Sequence, residues 1–186
     1  MPASEVVDAV TDNDVLFVLV NYNNFRDVAD QITCRLLEED YACIFLTADR
    51  TFDEVREELE YRGADTSDVY VIDLTAARKG IESADEKTTL ISSPTAYNDI
   101  NLAFSDMYDR IKSEKLFVML DSFTAWLLYG ELKETGNFVK RLTDKAQEHG
   151  AKFVVMAMHN QLDDDAVDRF MTFCDEKFDF SDEGRP

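Results

Sequence analysis

Residues 15–40, VLFVLVNYNNFRDVADQITCRLLEED, carry two hydrophobic periodicities in succession. VLFVLV (15–20) is apolar without interruption, the pattern of a β-strand buried on both faces. From Arg26 to Glu39, the residues Val28, Ala29, Ile32 and Leu36 recur at helical spacing and predict an amphipathic helix. The connection between them is Asn21-Tyr22-Asn23-Asn24-Phe25-Arg26-Asp27, which contains neither glycine nor lysine.

The same strand-then-helix pattern repeats outward from this stretch. ACIFLT (42–47) predicts a second strand, and RTFDEVREELEYRG (50–63) a charged helix closed by Gly63. VYVIDL (69–74) predicts a third strand. Residues 76–96 are polar, with one proline, and predict an irregular surface loop with a short strand over 88–91. A helix follows over 97–112, with Ile100, Ala103, Phe104, Met107 and Ile111 facing inward. KLFVMLD (115–121) is the next strand, residues 122–129 are helical, and a longer helix covers about 137–149 and stops at Gly150. AKFVVMAM (151–158) is a strand, and DDDAVDRFMTFC (163–174) is a helix whose three leading acids suit the helix dipole. EKFDFS predicts a last strand. Strands alternating with helices imply βαβ units, hence an α/β fold: a three-layer α/β/α sandwich with a mostly parallel central sheet. The expectation is one domain over 1–186, with an acidic N-terminal extension of about 13 residues and the irregular loop at 76–96.

Composition narrows the function classes. At 186 residues and 45% hydrophobic, the chain can bury a sizeable core. Its 39 acids against 19 bases give a net charge of −20, which repels nucleic-acid phosphates. The longest basic groupings are Arg78-Lys79 and Lys140-Arg141, so nucleic acid is not an expected partner. The acidity fits either a salt-rich cytoplasm or ordinary acidic solubility. Cys34, Cys43 and Cys174 are odd in number and none shares a CxxC spacing, which argues against a disulfide framework or zinc site and for a reducing cytoplasm. No apolar run approaches 18 residues, so no membrane span is expected, and the polar start MPASEVVDAVTDND is not a signal peptide.

In open parallel sheets, ligands sit beyond the carboxyl ends of the strands. Asp121 ends the strand LFVMLD and has the position of a carboxylate that holds Mg²⁺ through water; Asp is equally a good cap for the next helix. Asp49 follows the second strand, where a general base or a helix cap would sit. His159 and Asn160 follow the strand 151–158 and are placed to contact a ligand, although two histidines in the whole chain give little support to a histidine metal site. A phosphate loop needs glycines so that successive N–H groups converge, a lysine as point charge and Ser/Thr for Mg²⁺. Here the first glycine is Gly63, Arg26 and Asp27 fall where Lys and Ser/Thr belong, and Tyr22 and Phe25 crowd the backbone. Only a helix N-terminus remains there as a weak anion site.

The order of segments resembles the KaiC-like branch of the RecA-type ATPases over about 14–180. CIFLTADRTFDEVREELEYRGAD is similar to that family's second strand, paired acids, helix and closing glycine, and VYVIDLT to the strand that follows. SSPTAYNDINLAFSDMYDRI is similar to the serine-proline segment and helix of archaeal members, FVMLDSFTAWLLY to the Walker B strand with its Asp-Ser pair, and GAKFVVMAMHNQ to the strand after it. The departures bear on function. NYNNFRD stands in place of the Walker A loop, and Asp49-Arg50 in place of two water-activating glutamates. The resemblance therefore implies a RecA-like fold and a degenerate, catalytically inactive domain that serves as a regulatory or protein-interaction module, binds a protein partner or forms a homo-oligomer, and needs no cofactor. The alternative it implies is weak ATP-Mg binding at a remnant site of Asn23, Asn24, Arg26, Asp27, Asp121 and Ser122, with Asp121 holding the metal and Asp49 as a poor base. A receiver-like or hydrolase domain is a third class, but no lysine follows KFVVMAM and a GxSxG elbow is absent.

Overall fold

In the computed structural model, which describes residues 2–159 and 161–180, the uninterrupted apolar runs form the middle of a parallel sheet. The elements are α1 (Pro2–Val10), β1 (Val15–Val20), α2 (Phe25–Glu38), β2 (Ala42–Thr47), α3 (Phe52–Tyr61), β3 (Val69–Asp73), α4 (Ala76–Lys79) and β4 (Thr88–Leu90). They continue as α5 (Tyr97–Arg110), β5 (Leu116–Asp121), α6 (Phe123–Trp126), α7 (Leu132–Glu148), β6 (Lys152–Met158), α8 (Asp164–Met171) and β7 (Glu176–Phe180). Among the described residues the sheet has seven strands in the order β4-β3-β2-β5-β6-β1-β7, every neighbouring pair parallel.

Every residue of β1, β2 and β5 is buried, which is why these strands show no polar alternation. Two apolar clusters cover the two faces. Phe17, Ile44, Val118 and Val155 face α5, α6, α7 and α8; Val18, Phe45, Met119 and Val154 face α1, α2 and α3. Because all strands run the same way, the residues that follow β1, β2 and β5 gather at one end of the sheet. β2 and β5 are paired with Thr47 beside Asp121, whereas β6 separates β5 from β1.

Some boundaries differ from the sequence expectations for identifiable reasons. Within the expected acidic extension, α1 buries Ala3, Val6, Val7 and Val10 against the sheet and α2. Burial of each of these valines is worth about 1.5–3 kcal/mol, enough to hold a helix of only nine residues. α7 starts at Leu132, before Gly136, because Leu132, Thr135, Phe138 and Val139 continue one inward stripe through the glycine. α6 is a single short turn rather than a helix to 129. The loop 76–96 contains α4 and the edge strand β4, and it is tied down by the Arg56–Asp85 ion pair and by the Trp126 indole N–H donating to the Pro94 carbonyl.

Candidate functional site

The connection after β1 is short and already helical. Asn21 is extended, Tyr22–Asn24 form a 3₁₀ turn closed by the Asn24 N–H on the Asn21 carbonyl (3.1 Å), and α2 begins at Phe25. Phe25 is 1% exposed and packs into the core, whereas Tyr22 is 75% exposed. With the backbone committed to helix from Phe25 onward, Arg26 and Asp27 project from the first turn of α2. Arg26 donates to the Asp49 carboxylate (2.6 Å). Asp27 accepts from Arg62 (2.9 Å) and from Gln31 (2.7 Å). Asn23 and Arg26 both line two surface depressions, one of about 530 Å³ between α2 and α3, the other of about 340 Å³ beside Tyr22 and Asp49. Asn24 is half-buried at the start of α2.

The connection after β2 turns the other way. The Thr47 hydroxyl donates to the Arg50 carbonyl (2.7 Å) and accepts the Arg50 N–H (3.0 Å), which folds residues 48–50 back on the strand end. Asp49 is left outside and the Arg50 side chain is buried, 3% exposed. The Arg50 guanidinium donates to Asp121 Oδ2 from Nε (3.0 Å) and from one terminal nitrogen (2.7 Å). It also binds both oxygens of Asp30, on α2, at 2.8 and 3.0 Å. Its carbon lies 5.4 Å from the Phe45 ring centre. The result is a buried triad drawn from α2, the β2–α3 connection and β5.

Burial pushes the Asp30 and Asp121 carboxyls up, and Arg50 opposes it in both. Burial alone would make Arg50 easier to deprotonate, but Asp121 and Asp30 outweigh it and hold the guanidinium charged. Asp121 Oδ2 is therefore committed to Arg50, while its Oδ1 is buried with no hydrogen-bond partner among the described residues.

The neighbouring polar groups serve the scaffold. Ser122 Oγ accepts the Ala125 N–H (3.0 Å) and caps α6, and Thr124 Oγ1 accepts the Met158 N–H (3.3 Å). Asp73 caps α3 through the Phe52 N–H (2.9 Å) and accepts from Thr75 (2.7 Å). His159 is half-buried, donates its backbone N–H to the Val20 carbonyl (2.9 Å), and lines a separate depression with Leu19 and Asp164. Asn160 lies outside the described residues.

Thus Asn23, Arg26 and Asp49 share one rim, Asp27 turns toward Arg62, and Asp121 and Ser122 are buried. The buried role of Arg50 and its partner Asp30 were not anticipated. One signal was present: Asp30 sits between Ala29 and Ile32 on the inward stripe of α2, and a buried acid requires a cation or donors beside it.

Residues 17–178 match the model of a family of unknown function, DUF7504. The chain belongs to that family. No curated protein matches it. Among solved structures, an uncharacterized protein of Pyrococcus horikoshii, crystallised in complex with an unknown peptide, is similar with a TM-score of 0.66 at 12% identity, over 89% of this chain and 76% of that one. A KaiC-like protein of the hyperthermophilic archaeon Pyrococcus horikoshii OT3 is similar with a TM-score of 0.54 at 14% identity, over 78% of this chain. The alignment spans 61% of that longer chain. At these identities the likeness concerns the fold, and the DUF7504 chain has the α/β fold of KaiC-like, RecA-type domains.

Proposed function

We propose that this protein is a catalytically inactive relative of the KaiC-like ATPases that works as a regulatory or protein-interaction module. The observation that carries the proposal is Arg50. A carboxylate at the end of β5 would bind hydrated Mg²⁺ through its exposed oxygens, but Asp121 gives one oxygen to a buried guanidinium and has the other enclosed. The β1–α2 connection supports the same conclusion. It runs through a 3₁₀ turn into a helix with Phe25 anchored inside, so it offers no string of converging N–H groups for phosphate. Asp27 adds a negative charge in the first turn of α2, which opposes an anion at that helix N-terminus. These residues do not fit Mg-nucleotide, and no hydrolytic step is assigned to them.

The remaining role is recognition of a protein. The net charge of −20 repels nucleic acid, and one structural neighbour was crystallised with a peptide. The three free cysteines favour a reducing compartment such as the cytoplasm.

A weak nucleotide site is the second reading, favoured by Arg26 standing at the rim of both depressions. Calorimetry and thermal denaturation with millimolar Mg-ATP separate the two. Inactivity predicts no binding heat and an unchanged Tm. A ligand at 100 times its Kd stabilises by about 2.7 kcal/mol, so a saturable rise in Tm that disappears in Arg26→Ala would overturn the proposal.

A further inference from the structure

On the face of the sheet opposite α2 and α3, a groove runs between α7 and α8. Its apolar surface comes from half-buried Leu132 and Phe173, with Phe170 (1% exposed) enclosed beneath, its ring centre 5.3 Å from that of Phe173, and the groove encloses about 280 Å³. Lys133, Lys140 and Arg169 line it. Lys140 is shared with Asp144 (2.6 Å). Lys133 and Arg169 form no ion pair with any described residue, although the chain has about twice as many acids as bases. Two unpaired cations, Lys133 and Arg169, together with the shared Lys140, therefore give the groove a basic rim on an acidic protein.

Gly136 gives a second, independent sign. It lies inside α7, where glycine is less favourable than alanine. A Cβ built there would meet only Phe170, at an ordinary 4.0 Å, so packing within this chain does not demand the glycine. Its missing side chain instead deepens the groove and lets another backbone approach α7 closely.

We propose that the α7–α8 groove docks an acidic peptide segment of a protein partner, with one aromatic or aliphatic side chain seated against half-buried Phe173 and Leu132 beside Gly136. Acids flanking that anchor meet Lys133, Lys140 and Arg169. Charge complementarity selects this occupant over a second copy of the chain, whose own net charge of −20 opposes self-association. The inference rests on the protein-interaction reading and names its surface, but it does not depend on the strand-end residues, whose nucleotide test stands apart from it.

Phage-displayed 12-residue peptides, panned on the intact protein at 50 mM NaCl, test the groove. Enriched sequences are expected to carry two or more acids around a Phe, Trp or Leu. A synthetic copy of the leading sequence should bind at least tenfold more weakly to Lys133→Glu/Arg169→Glu and to Gly136→Trp. It should bind equally well to Arg26→Ala, and several-fold more weakly to wild type at 300 mM NaCl. Gly136→Ala is the folding control and should melt at or above the wild-type Tm. Failure to enrich any peptide, a consensus without acids, or a leading peptide indifferent to both groove variants while these melt like wild type would each overturn the proposal.

Discussion

Asp49 and Arg50 are consecutive, and each closes an ion pair of nearly the same length, 2.6 Å to Arg26 and 2.7 Å to Asp121. The first pair lies in solvent, with side chains 58% and 37% exposed; the second is enclosed by the sheet and α2, with side chains 3% and 1% exposed. Equal distances thus conceal unequal energies. Water screens the outer pair to at most about 1 kcal/mol. The inner triad has lost its water, so its three charges depend on one another, and removing one leaves the others stranded.

The largest effect should come from breaking the inner triad. Arg50→Met keeps the volume but strands Asp30 and Asp121, and urea unfolding at pH 7 should show a loss of about 3–5 kcal/mol. Both carboxyls already titrate above their ordinary range because of burial, and without Arg50 they move further up. A raised carboxyl is most destabilising when ionised, so the Arg50→Met defect should shrink as pH falls below 7 and the two acids protonate. A loss below 1 kcal/mol at pH 7 would mean that the triad is solvated.

Glu54 lies between the two extremes. It is half exposed, pairs with Lys79 (2.8 Å), and closes a capping box by accepting the Thr51 N–H (2.7 Å). The Lys79 ammonium and the Thr51 N–H pull its carboxyl down to about 2. A lowered carboxyl stabilises the fold above its ordinary value of 4.5, and that stabilisation is lost as pH falls toward 2. Glu54→Gln should cost about 0.5–1 kcal/mol at pH 7 after allowing for solvent, and its Tm should converge on wild type in acid. A difference that persists undiminished near pH 2 would assign the effect to shape rather than charge.

The smallest effect belongs to the outer pair. Arg26→Ala should change stability by less than about 0.5 kcal/mol, and 1 M NaCl should erase even that. A loss of 2 kcal/mol would place Arg26 in a desolvated site and undo the contrast with Arg50.

The sheet was the most legible part of the chain. VLFVLV, ACIFLT and LFVMLD have no polar alternation, and only a strand covered on both faces tolerates that, so their burial followed from composition alone. α1 was missed because Ala3, Val6, Val7 and Val10 span little more than two turns, interrupted by Glu5 and Asp8 and followed by the polar stretch 11–14. The start of α7 was obscured by Gly136, a helix breaker that the inward stripe from Leu132 to Val139 overrides. Asp121 was recognisable at its strand end. Its partner was not, because Arg50 and Asp121 lie 71 residues apart and meet only through the pairing of β2 with β5.

Periodicity and composition by themselves determined the order of the strands and of every helix but α1 and α4, the parallel α/β class and the absence of a glycine loop after β1, because these depend on neighbours within a few residues. Only the tertiary structure decided which member of Asp49-Arg50 turns inward, that Asp30 and Asp121 share one guanidinium, and that Lys133, Lys140 and Arg169 share a groove. Charges and cavities are made by residues remote in sequence, and their energies are set by how much water the fold removes from around them.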